Sequence, residues 1–203
     1  MSRGRPREFD LDKALDAAMS LFWQHGYEGT SLAALSEAMG INMPSLYAAF
    51  GNKESLFKKA LDRYIQKPAS YLPNALKEPT ARRCVQKLFA GAIDLAMQQK
   101  RPTGCMLVQG SITAGPNDAR IREEMAERRA MAEGAVRMRF EQAIKAGDLP
   151  KSTDPAKLAR FVITVLWGIS VQAVGGATRE ELSDVAEMAL QRFPGRDRVA
   201  QLS

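Results

Sequence analysis

Apolar residues recur at helical spacing along nearly the whole chain, and this periodicity limits the folds open to it. Near the N-terminus, Leu11, Leu15, Ala18 and Phe22 follow one another at intervals of three or four residues, so they share one face of a helix. Strict apolar–polar alternation, which is typical of half-buried strands, marks no stretch of the sequence. We therefore predict an all-α protein in which each helix buries an apolar stripe.

Capping residues, glycines and prolines divide this pattern into a small head, residues 1–66, and a larger helical body, residues 67–203. Pro68 and Pro73 mark the division. In the head we predict helices over residues 10–26, 32–39, 43–50 and 53–66. In the body we predict helices over residues 80–99, 105–113, 117–146, 154–174 and 178–192. The last two have the clearest starts, because Asp154 precedes a proline and Thr178 forms a capping box with Glu181.

Composition narrows the chemistry that the chain can perform. Its 203 residues are 45% hydrophobic and 26% charged, which is enough apolar material for a sizeable core. The formal net charge of +6 favours an acidic partner such as nucleic acid. One histidine and two cysteines without CxxC spacing offer no metal site and little for acid–base or nucleophilic catalysis. We expect no enzymatic activity, no metal and no cofactor.

Targeting signals are not evident in the sequence. The N-terminus has no apolar signal stretch, and the most apolar run, residues 161–171, is shorter than the ~20 residues that a membrane span requires. We expect a cytoplasmic protein that does not use a membrane as partner.

The two short helices predicted over residues 32–39 and 43–50 are joined by a tight turn at Gly40, Ile41 and Asn42. Such a pair forms a helix-turn-helix when the second helix enters the DNA major groove, although similar pairs also occur as simple packing corners. The segment from Gly26 to Phe57, GYEGTSLAALSEAMGINMPSLYAAFGNKESLF, closely resembles the signature of the TetR family. This resemblance covers about the first 66 residues. It implies a dimeric repressor that binds double-stranded operator DNA and is released by a small molecule.

The same resemblance suggests which residues of the head contact DNA. Thr30 and Ser31 at the start of the first short helix, Tyr47 on the second, and Lys53 at the next helix start are expected to hold phosphates. The leading end of the second short helix is expected to read base edges through Asn42, Met43, Pro44 and Ser45. Ala48, Ala49 and Met43 depart from the polar residues common in the family. Thymine methyl contacts and DNA shape are therefore expected to carry much of the specificity.

A basic arm precedes the first helix. Arg3, Arg5 and Arg7 flank Gly4 and Pro6, in a pattern that resembles the arginine hooks inserted into narrow A·T-rich minor grooves. The alternative is a solvated basic tail without a fixed DNA contact.

In the body, the resemblance implies a hydrophobic ligand cavity between the middle helices and the last two. Methionines and aromatic residues supply adaptable apolar walls, although any one of them can equally be ordinary core. The predicted ligand-binding residues are Met97, Cys105, Met106, Met125, Met138, Phe140, Phe161 and Trp167, with Met131 as a further methionine of this group.

The last two helices are expected to form the homodimer interface. The helix predicted over residues 154–174 is apolar almost all round, so one body cannot easily bury all of it. In TetR-like proteins this helix pair from each subunit packs as a four-helix bundle. The predicted interface residues are Leu158, Val162, Val165, Ile169, Leu182, Val185 and Ala189.

Two alternatives to a ligand-released repressor stay open. A constitutive DNA-organising protein on the same fold would bind many sites with little sequence preference. A redox or electrophile sensor would use Cys105, whose thiolate a helix N-terminus and nearby Lys100 or Arg101 could stabilise. An inert buried thiol is the competing interpretation of Cys105.

Overall fold

The computed structural model describes residues 9–98, 104–112 and 119–194, and every regular element within them is an α-helix. The basic arm with Arg3, Arg5 and Arg7 lies outside the described residues. The helices are α1 (Leu11–His25), α2 (Leu32–Met39), α3 (Met43–Phe50), α4 (Lys53–Gln66), α5 (Tyr71–Ala75), α6 (Ala81–Ala96), α7 (Met106–Ile112), α8 (Ala119–Lys145), α9 (Pro155–Val174) and α10 (Arg179–Gln191).

Side-chain caps set the helix starts, as the sequence predicts. The Asp10 carboxylate accepts hydrogen bonds from the backbone of Asp12 and Lys13, and Asp154 does the same for α9. Thr178 and Glu181 form the predicted capping box. At α2 the sequence predicts Thr30 as the cap, and this prediction is wrong by one residue because Ser31 is the cap.

The helices of the head agree closely with the sequence prediction, whereas α5 in the body was not predicted. Pro73 had marked this segment as irregular, yet it is the third residue of α5. In the first turn of a helix a backbone N–H has no intrahelical acceptor, so a proline there costs no hydrogen bond. The other body helices begin and end within three residues of their predicted bounds.

Two apolar cores hold the described residues together. The first lies under α1–α4 and continues into the body through Cys105, Met106, Leu107, Ile121 and Met125. The second joins α6, α8, α9 and α10. Helix α9 is long and apolar enough to cross a membrane by length and composition. Its buried residues, such as Val162 and Leu166, pack in the second core, which accounts for part of that apolar character.

An ion-pair cluster fixes α1 against α4. The Arg63 guanidinium donates to both carboxylate oxygens of Asp16, at 2.7 and 2.9 Å, and also reaches Asp12 at 3.1 Å. Hydrogen bonding from Arg63 lowers the pKa of Asp16 to about 2, with Lys67 adding to the effect. Asp16 therefore stays ionised, and α4 keeps a defined orientation under the helix-turn-helix.

Candidate nucleic-acid interface and body cavity

The turn between α2 and α3 has the compact geometry that a helix-turn-helix requires. Gly40 adopts a left-handed conformation, φ 65° and ψ 30°, which is strained for residues with a side chain. The Ile41 backbone N–H donates to the Ser36 carbonyl at 3.1 Å, and the Ser36 hydroxyl donates to the Ile41 carbonyl. Leu35 and Leu46 are fully buried beneath the turn. The angle between the two helices is thus set by both backbone and core.

The outer side of α3 presents the predicted base-reading residues. Asn42 and Pro44 are exposed, and Met43 and Ser45 are partly exposed. The Asn42 side chain accepts from the Ser45 backbone N–H at 2.9 Å, so its carbonyl oxygen is committed to capping α3. The Asn42 amide NH₂ group is the part of that side chain suited to a base edge.

The predicted phosphate contacts differ in how well the structure supports them. Tyr47 is 47% exposed, so its side chain is accessible to a phosphate. Ser31 is exposed at the start of α2. Thr30, in contrast, is 1% exposed, and its hydroxyl donates to the Gly26 carbonyl at 2.7 Å. The Thr30 side chain therefore closes the end of α1 and does not face a phosphate, which corrects its assignment.

Lys53 lies at the first position of α4 and is held in place by an aromatic ring. Its ammonium group sits 4.3 Å from the centroid of the Tyr27 ring, a cation–π distance. Tyr27 in turn packs edge-on to Phe57 in the head core. The Lys53 ammonium group is therefore held at the N-terminal end of α4, where the helix dipole also favours anions.

A mostly apolar cavity of about 220 Å³ lies in the body. Its lining comes from the end of α4 and from α5, α6, α7 and α8. The lining residues are Ile65, Leu72, Pro73, Leu76, Leu88, Leu107, Arg128, Met131, Ala132, Ala135 and Val136.

The eight predicted ligand-binding residues do not line this cavity. Met106, Met125 and Phe140 are buried in the two cores, and Cys105 is buried with the first of them. Met97 and Trp167 are partly buried. Met138 and Phe161 are 54% and 41% exposed on the outside of α8 and α9, so they form no wall inside the body. Met131 is the one methionine of the predicted group in the lining.

The predicted dimer-interface residues also divide into two sets. Val162, Ile169, Leu182 and Ala189 are between 0 and 8% exposed within the single chain, because they face the second core. In the single chain these four side chains pack intramolecularly, and Val162, which has no exposed surface, is corrected to a core residue. Leu158 and Val165 are partly buried, and Val185 is 46% exposed. A surface groove between α9 and α10 runs past Val165, Gly168, Gln172 and Val185, with Ile169 and Leu182 at its floor.

Comparison with known proteins identifies the fold and the family. A family model described as bacterial regulatory proteins, tetR family, matches residues 14–60. A second model, the tetracyclin repressor-like C-terminal domain, matches residues 80–190. The chain belongs to the TetR family. It is therefore a DNA-binding transcriptional repressor of this family rather than an enzyme.

Individual TetR-family proteins match over nearly the full length of the chain. The transcriptional repressor ComR of Escherichia coli K12 is 39% identical over 95% of this chain and 93% of its own. The repressor BdcR of the same strain is 31% identical over 92% and 90%. A solved structure of the regulator CifR, a cysteine mutant complexed with 26 bp operator DNA, superimposes with a TM-score of 0.88. It is 43% identical and covers 94% of this chain and 100% of its own.

In this TetR-family protein, the head and the body meet at a buried junction around Trp23. The Trp23 indole N–H of α1 donates to the Gly104 carbonyl, just before α7, at 3.1 Å. The Trp23 ring packs edge-on to Tyr64 of α4, with centroids 4.9 Å apart. Both side chains are at most 2% exposed. Sequence reasoning missed this junction, because a helix-spaced Trp and Tyr are equally consistent with a core confined to the head.

Cys105 lies at the same junction and is 5% exposed. Burial raises the pKa of its thiol, which keeps the sulfur protonated near neutral pH. The predicted stabilisation of a thiolate at the start of α7 therefore finds no support, and the inert-thiol interpretation is favoured. Lys100 and Arg101 lie outside the described residues.

Proposed function

We propose that this protein is a homodimeric repressor that releases its operator when a small hydrophobic molecule occupies the body. The observation that carries this proposal is the continuous core from α1 and α4 into α7 and α8. Side chains that pack against the recognition head also pack against the body. A ligand that shifts α7 or α8 must therefore move α4 and the head with it, because a close-packed interior transmits displacements.

A dimer is supported by apolar surface on α9 and α10. Phe161, Val171 and Val174 of α9, and Val185 and Met188 of α10, are between 41 and 69% exposed in the single chain. Apolar patches of this kind are characteristic of association sites. A two-fold pairing of these helices would place two recognition helices against half-sites ~34–36 Å apart. The location of such a regulator would be the cytoplasm.

In the proposed complex, α3 lies in the major groove, and one set of side chains contacts the phosphates while another contacts the bases. Ser31, Tyr47 and Lys53 bind backbone phosphates and set the orientation. Asn42, Met43, Pro44 and Ser45 meet base edges. The basic arm with Arg3, Arg5 and Arg7 extends the contact into the flanking minor groove.

The Lys53 contact provides a direct test on a duplex selected from random sequences by the protein itself. Lys53→Ala is expected to weaken binding to all duplexes alike and to lower the salt slope by about 0.9 for each phosphate that a subunit no longer neutralises. Lys145→Ala is the control, since Lys145 is exposed at the far end of α8. Binding isotherms over a series of salt concentrations measure both slopes. An unchanged slope in Lys53→Ala, or equal changes in the two variants, would remove Lys53 from the interface.

A further inference from the structure

The body cavity contains one charged group in an otherwise apolar wall. Among the described residues that line it, Arg128 alone carries a charge, and aliphatic side chains such as Leu72, Leu88 and Val136 surround it. Arg128 is 16% exposed. An apolar pocket with one convergent polar group is typical of a site that orients a small amphipathic ligand.

Arg128 also ties α8 to the DNA-binding head. Its Nη1 atom lies 2.6 Å from the Asp62 carboxylate of α4, and its Nε atom lies 2.6 Å from Glu124, one turn earlier on α8. Lys58 of α4 bridges Glu54 at 3.1 Å and Glu124 at 3.3 Å. Arg120 completes the network with a contact to Glu54 at 3.7 Å. The same guanidinium thus faces the cavity and holds α4.

We propose that the cavity binds a small apolar molecule bearing a single carboxylate, and that this carboxylate takes the place of Asp62 on Arg128. The inference rests on the proposed function and names the ligand class and the switch for it. A cavity of about 220 Å³ is smaller than the roughly 300–1,000 Å³ common for ligand pockets. The part of the ligand that the cavity encloses is therefore about the size of a short chain or a single ring.

The charge balance of the network favours replacement of a protein carboxylate on Arg128 by the ligand carboxylate over binding of the ligand beside it. Within the ion pairs described for this network, three cations, Lys58, Arg120 and Arg128, face three carboxylates, those of Glu54, Asp62 and Glu124. A fourth anion would leave the network with excess negative charge, which favours the departure of an existing carboxylate from Arg128. That carboxylate is Asp62, because it is 55% exposed and can turn into water. Glu124 is 16% exposed and shares α8 with Arg128.

Displacement of Asp62 removes the strongest link between α4 and α8 in this network. The links that remain are Lys58 to Glu124, at 3.3 Å, and Arg120 to Glu54, at 3.7 Å. Arg120 is 83% exposed, and a solvated pair of that kind contributes little. With this link broken, the polar contacts between α4 and α8 are weaker, and a small shift of α4 relative to α8 is enough to misalign the two recognition helices on a duplex.

Octanoate and octanamide provide a matched pair of probes, since they share a chain and differ in charge. Calorimetric titration of the full-length protein is expected to show octanoate binding roughly tenfold or more tightly than octanamide, as hydrogen bonds to charged groups imply. Arg128→Met should abolish this preference while leaving octanamide binding in place. Arg160→Met is the control. Arg160 pairs with Glu133 at 2.9 Å on the exposed surface, away from the cavity lining, so that variant should keep the preference.

Asp62→Asn is a second variant that keeps the proposal falsifiable if Arg128→Met folds poorly. Since it removes the internal competitor, it should bind octanoate more tightly than the wild type does. Without ligand, it should also bind the selected operator roughly fivefold more weakly, at the low end of common allosteric couplings. Equal binding of octanoate and octanamide to the wild type, or binding of neither, would overturn the proposal. Failure of the wild type to prefer any duplex would instead overturn the repressor function, whatever the calorimetry shows.

Discussion

Replacement of Trp23 by alanine is expected to lower the free energy of unfolding by about 3–5 kcal/mol, the range for large aromatic-to-alanine changes in a core. Trp23 is 2% exposed and packs edge-on to Tyr64. Its indole N–H also donates a hydrogen bond to the Gly104 carbonyl at 3.1 Å. Truncation would leave both a cavity and an unpaired buried carbonyl at the junction where head and body share packing. Denaturant unfolding followed by circular dichroism measures the loss.

Trp23→Phe is the matched control, because it keeps an aromatic ring but removes the hydrogen bond to Gly104. Both variants leave the Gly104 carbonyl without this hydrogen bond, which costs about 1–3 kcal/mol. Trp23→Phe loses less packing, so its total cost should be smaller than that of Trp23→Ala. A loss under about 1 kcal/mol for Trp23→Ala would show that the junction contributes little to stability. The head could not then respond to the body through it.

Val185→Glu is expected to convert the protein to a monomer that binds the selected operator at least about a hundredfold more weakly. Val185 is 46% exposed in the single chain, so the isolated fold tolerates a charge there. In the proposed two-fold interface the substitution buries two unpaired carboxylates, which costs several kcal/mol. A monomer also engages only one half-site. Light scattering and operator titration measure the two effects.

Met138→Glu is the control for this prediction. Met138 is 54% exposed on α8 and lies outside the groove between α9 and α10, so the variant should remain dimeric and bind the operator as before. A charged residue at Ile169 would not serve, because Ile169 is 1% exposed in the second core and its replacement would unfold the chain. A Val185→Glu protein that stays dimeric would place the interface elsewhere.

The head could be predicted from the sequence because its geometry depends on local signals. Gly40 needs a left-handed conformation, and Asn42 and Asn52 cap the helices that follow them. Such signals act within a few residues. The one error there, Thr30, is of the same local kind. Thr30 and Ser31 are adjacent hydroxyl residues, and the spacing of α2 alone does not decide which of them forms the cap.

The body could be predicted only as a set of helices, since its faces are chosen by tertiary packing. Helix α9 is apolar nearly all round, so periodicity does not reveal that Val162 and Ile169 face inward while Phe161 faces outward. The cavity lining draws on five helices, which no single-helix pattern can identify. Two pairs of opposite charges four residues apart, Glu54 with Lys58 and Glu124 with Arg128, were the available signals of the ion-pair network.

Competition between a selected operator and random DNA tests the central claim most directly. The full-length protein is bound to labelled operator at fixed salt, and unlabelled duplex of the same length and base composition but shuffled sequence is added. A specific repressor should prefer the operator by at least about a thousandfold. Equal competition by the shuffled duplex would contradict the account, because it would show a protein that binds DNA through its backbone and organises it without reading sequence.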